Sequence, residues 1–103
     1  MGNGMTIKLV YGAVREHPRK VIHVLRVVDE LLEPEELDEL AEHMREHALA
    51  KHGEPDAAVV MVQGDSKETL RLQGEPYAVA RVRAAMFNAE ISWRVFDPAF
   101  NLE

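Results

Sequence analysis

Three different periodicities follow one another in the second half of this chain, and their order restricts the fold more than any other feature. Ala57-Ala58-Val59-Val60-Met61-Val62-Gln63 is a nearly continuous apolar run. Gly64-Asp65-Ser66 breaks it, and Thr69-Leu70-Arg71-Leu72-Gln73 then alternates polar and apolar residues. Past Gly74-Glu75-Pro76, the residues Ala78, Val79, Val82, Ala85 and Met86 recur at helical spacing, and Ile91-Ser92-Trp93-Arg94-Val95 returns to alternation. Side chains share a face at every second residue of a strand and about every 3.6 residues of a helix, so the order is strand, turn, strand, helix, strand.

The first half is less uniform. Thr6 to Val14 predicts a strand with Ile7, Leu9 and Tyr11 on one face and Lys8 and Val10 on the other. Gly12 weakens its end or marks a bulge. The stretch from Val21 to Val28 is rich in β-branched residues, which favour strands. On a helical wheel, however, Val21, Val24, Leu25, Val28, Leu31 and Leu32 fall in one stripe with His23, Arg26 and Glu30 opposite. As a strand, the same stretch would send His23 to one face and Arg26 to the other. Pro18 also suits the first turn of a helix. A helix over Val21–Leu32 is therefore expected, with a β-hairpin to the first strand as the alternative. Glu33-Pro34 separates it from a second helix, since the residue before proline is pushed out of helical geometry. That helix is expected from about Pro34 to His52. Leu37, Leu40, Ala41, Met44 and Ala48 form its buried stripe, Glu35, Glu36 and Asp38 lie in its first turn, and Gly53 is its terminator.

The expected order is β-α-α-β-β-α-β: a single α+β domain, built as a two-layer sandwich of about four mainly antiparallel strands with helices on one face. Residues 6–97 would form the domain, 1–5 a flexible leader and 98–103 a surface tail, with Phe96 or Phe100 against the body. At 103 residues the chain is long enough to bury a core without staples.

Composition excludes several function classes. There is no cysteine, so disulfides, thiolate zinc sites, iron–sulfur clusters and a cysteine nucleophile are ruled out, and a reducing cytoplasm is the expected setting. No apolar run approaches the ~18 residues of a membrane span. The net charge of −6 is uneven: Asp29 to Glu46 carries nine acids against Arg45 alone. The remainder is close to neutral, so the clustered positive charge of a nucleic-acid binder is absent. The acidic segment reads as a solvated helix face, or as a docking surface for a protein partner.

Two sets of residues are candidates for function. His43-Met44-Arg45-Glu46-His47 places two imidazoles four apart on one helix, a spacing that can share a zinc ion, with Glu39 one turn earlier as a third ligand. The string fits the H-x-x-E-H pattern of inverted zinc proteases, in which the glutamate is the general base. The match covers only these five residues, and His43 and Glu46 fall well into the polar face, whereas a catalytic metal needs buried, braced ligands. No cofactor is expected. The second set is Arg71 and Arg94, mid-strand in segments whose alternate residues face the helices. They would point to the uncovered side of the sheet, with Val10, Val59, Met61 and Phe96 as apolar neighbours and Lys8 beside them. Arg, Met and aromatics are enriched in interfaces, so this face predicts a homodimer.

Gly74-Glu75-Pro76-Tyr77 starts a helix with an acid and a proline, which is no phosphate loop, and no serine sits in a nucleophile elbow. Thr69 to Val79 is faintly similar to the last strand and helix of KH-type RNA-binding domains. Leu32-Glu33-Pro34-Glu35 stands where that family has its G-x-x-G clamp, so membership is not inferred. The leading expectation is a small non-catalytic binding or self-assembly module. A metal-dependent protein using His43 and His47 is the alternative.

Overall fold

The β-branched stretch after Pro18 is a strand. In a computed structural model of the protein, which describes residues 9–17, 20–28, 32–53, 57–64 and 68–96, Lys20–Val27 forms β2. It pairs antiparallel with β1, Leu9–His17. The helix expected over Val21–Leu32 is thereby overturned in favour of the hairpin. The physical reason is burial on two sides. Ile22 and Val24 pack against one layer, Leu25 and Val27 against another, and none is more than 2% exposed. A helical stripe buries one side only. His23 and Arg26 do fall on opposite faces, and each finds a partner there. The Tyr11 hydroxyl lies 2.7 Å from His23 Nδ1, and Arg26 donates to the Gly64 carbonyl at 3.3 Å.

The remaining elements are α1 (Pro34–His52), β3 (Ala58–Gln63), β4 (Arg71–Gln73), α2 (Pro76–Phe87) and β5 (Arg94–Phe96). The order among the described residues is therefore β-β-α-β-β-α-β, with five strands arranged β4-β3-β2-β1-β5. β2 and β3 run parallel and the other three pairings are antiparallel, so this α+β protein has a mixed sheet instead of a mainly antiparallel one. The parallel pair follows from the corrected second strand. α1 now connects neighbouring strands as a crossover, which returns the chain to the end where β2 began.

Neighbouring residues along a strand point to opposite faces. Leu37, Ala41 and Met44 of α1 pack with Leu25, Val27, Val59 and Met61. Ala78, Val82 and Ala85 of α2 pack with the alternate residues Ile22, Val24, Val60 and Val62. The two helices thus lie on opposite faces of the sheet, unlike the expected arrangement with both on one side. α1 itself has the expected bounds. Glu36 Oε1 accepts the Glu33 backbone N–H at 2.9 Å, and Gly53 closes the helix at φ 64°.

Two positions hold the layers in register. Gln63, 2% exposed, accepts the Leu32 N–H at 2.9 Å and donates to the Leu32 carbonyl at 3.0 Å, pinning the end of β3 to the approach to α1. Gly12 lies under the segment that leads into β5. A Cβ there would stand 2.3 Å from Ile91 Cγ2 and 3.3 Å from Trp93 Cε3. Gly12→Ala is therefore expected to lower unfolding free energy by about 1–3 kcal/mol through overpacking. Gln63→Ala should cost a similar ~1–3 kcal/mol, because it leaves two buried backbone groups unpaired. Urea denaturation of each variant measures both effects.

Candidate functional site

α1 and α2 both press on β3, and the β1/β5 side of the sheet is less covered. α1 is tied to β4 at its start: Gln73 Nε2 donates to the Pro34 carbonyl at 3.2 Å and to the Asp38 carboxylate. Leu40, His43 and His47, on another flank of α1, are half-buried. Tyr11 and Leu40 are half-buried against the same core. On this face β1 then presents Ala13 and Arg15, both exposed, and β5 presents exposed Arg94 in register with Tyr11.

Tyr11 and His23 form the buried polar centre of this face. His23 is 3% exposed, and the two rings lie 5.8 Å apart between centroids at an interplanar angle of 33°. The hydrogen bond from the phenol to Nδ1 of the buried imidazole ties β1 to β2 and places a polar pair in an otherwise apolar layer. On the opposite face the guanidinium of Arg26 lies 5.7 Å from the Trp93 ring centroid, a cation–π distance. Beside it, Val10 pairs in register with Val95. Val95 is 85% exposed, the most exposed of the large apolar residues described.

The six residues expected to share an interface are divided by this architecture. Val59 and Met61 are 3% and 1% exposed, buried beneath α1. Arg71 is exposed on β4, at one edge of the sheet, and Arg94 is exposed on β5, at the other. Val10, Arg94 and Phe96 all belong to the β1/β5 pair, but the register, Leu9 with Phe96, Val10 with Val95 and Tyr11 with Arg94, sets Val10 on the opposite face of the sheet from Arg94. The side chain of Phe96 lies outside the described residues, as do Lys8, the leader at 1–5 and the tail at 98–103.

His43 and His47 both lie on α1, with His43 Nδ1 3.9 Å from Glu46 Oε1 on a wet surface. Glu39 is exposed. Among the described residues, no group of three or more His, Cys, Asp or Glu side chains is placed to hold a metal ion. Compared with protein-family models, curated proteins and solved structures, the chain matches none.

Sequence reasoning missed the Tyr11–His23 pair, because it put His23 on a helix. The signal that could have found it is the β-branched run from Val21 to Val28, which as a strand paired with β1 sets Ala13 opposite His23 and brings Tyr11 alongside. Tyr11→Phe is expected to lower stability by ~1 kcal/mol, the net worth of one hydrogen bond. It should also shift the His23 ring resonances, which NMR reads directly. A zinc titration by calorimetry is expected to show only weak uptake, lost in the His43→Ala/His47→Ala double variant. One zinc retained per chain through dialysis would reverse that expectation.

Proposed function

We propose that the protein is a small non-catalytic binding module that self-associates through the β1/β5 side of its sheet. The observation that carries this reading is Val95, which sits at the middle of an edge strand at 85% exposure. A β-branched side chain so placed contributes almost nothing to the core of its own chain. Val10 adjoins it on the same face, and Trp93 and Arg26 stack nearby. Tryptophan and arginine are the residue types most enriched in the energetic centres of interfaces. An exposed edge is also a template for another strand, which proteins usually blunt unless it is used.

The test is the mass in solution. Light scattering at several hundred micromolar is expected to give the mass of two chains. Val95→Asp should return the monomer, with affinity reduced by ~100-fold or more, because an unpaired carboxylate would be desolvated at the contact. Circular dichroism should stay unchanged, since Val95 is scarcely buried in the single chain. Wild-type protein that stays monomeric throughout this range would sink the self-association reading.

A further inference from the structure

We infer that two copies of the chain join β5 to β5 in antiparallel register about a twofold axis at Val95, fusing their five-stranded sheets into one. This inference rests on the self-association reading and specifies its geometry. Among the described residues, β5 has a strand on one side only, β1. The other side therefore presents backbone N–H and C=O groups to a partner strand.

The symmetry selects the register. An antiparallel edge-to-edge dimer needs its axis perpendicular to the sheet, so one residue must face its own copy and opposed side chains share a face. An axis at Arg94 would set Arg94 against Arg94, and like charges directly opposite are destabilising. An axis at Phe96 would bring Pro98 opposite Arg94, and proline has no N–H to give the ladder. An axis at Val95 avoids both: Val95 meets Val95, and Arg94 meets Phe96 of the other copy. Because this axis preserves faces, the stripe from Val10 to Val95 continues into Val95 and Val10 of the second copy. The most exposed apolar side chain described is then covered.

The other edge is less suited. Gln73 of β4 is already engaged with Pro34 and Asp38 at the start of α1. Pairing β4 with β5 head to tail would also leave an open edge on every copy and build filaments, whereas β5 with β5 closes. A contact centred on a three-residue strand is short of the ~1,600 Å² of a standard interface, so the dimer should form in the micromolar range and dissociate on dilution.

The chain has no cysteine, so a single introduced thiol reports the contact without background. Directly opposed residues of an antiparallel pair have Cα atoms about 4.5–5.5 Å apart, within the roughly 4.4–6.8 Å that a disulfide spans. Val95→Cys is expected to form a covalent dimer under mild oxidation by glutathione disulfide, at least ~10-fold more than Arg83→Cys on the exposed side of α2. Both are run at a concentration where light scattering reads the wild-type dimer. A wild-type dimer with no excess crosslinking at Val95→Cys would overturn the β5 pairing while leaving self-association standing. A monomeric wild type would overturn both.

Discussion

The parallel ladder between β2 and β3 is the constraint on which the rest of the molecule depends. Val24 and Val60 lie in register at its centre, and both are fully buried. Their neighbours Leu25 and Met61, pointing to the other face, are each 1% exposed. A strand pair that is apolar on both faces must be covered on both. One helix therefore has to lie on each side, and the chain supplies them in order: α1 as the crossover between the two strands, α2 after the short hairpin partner β4. The outer strands β1 and β5 need less cover, and their exposed residues follow from that.

Polar side chains inside such a core are tolerated only where they are paired. Gln63 uses both ends of its amide on the backbone of Leu32, so it both satisfies itself and fixes the entry to α1. His23 shares a hydrogen bond with Tyr11 across the hairpin. Arg26 leaves the opposite face under Trp93 with its guanidinium bonded to Gly64. α2 is tied to the end of β1 by Arg81, whose Nε lies 3.0 Å from a Glu16 oxygen and whose Nη1 lies 3.6 Å from Glu90. These contacts orient the elements, and the apolar layers hold them together.

Much of the fold was legible wherever an element has one wet side. α1 carries a clean stripe, acids at its start and a glycine at its end, so local chemistry and packing agree on its bounds. β4, β5 and α2 were legible for the same reason, and β3 as a continuous apolar run closed by turn residues. Val21 to Val28, the other central strand, was not. Its two polar residues happened to fall on one side of a helical wheel, while their partners Tyr11, Gly64 and Trp93 are remote in sequence. That one misplacement carried the sheet's direction and the side of each helix with it. It also decided the fate of the candidate interface: Val59 and Met61 lie beneath α1, whereas Val10, Arg94 and Phe96 share the β1/β5 pair.

By itself, the order of residues determined where regular structure can start and stop, since proline, glycine, periodicity and charge act over a few neighbouring positions. It also determined that thiol chemistry is excluded, because the chain has no cysteine. Only the tertiary structure decided which faces are covered, that β2 and β3 run parallel, and that Val95 stands on β5, the last strand of the sheet among the described residues. The physical reason is that burial is a property of pairs of surfaces. An apolar residue is equally willing to face a helix, a strand or a second copy of the chain, and only the packing of the whole chain determines which of them it meets.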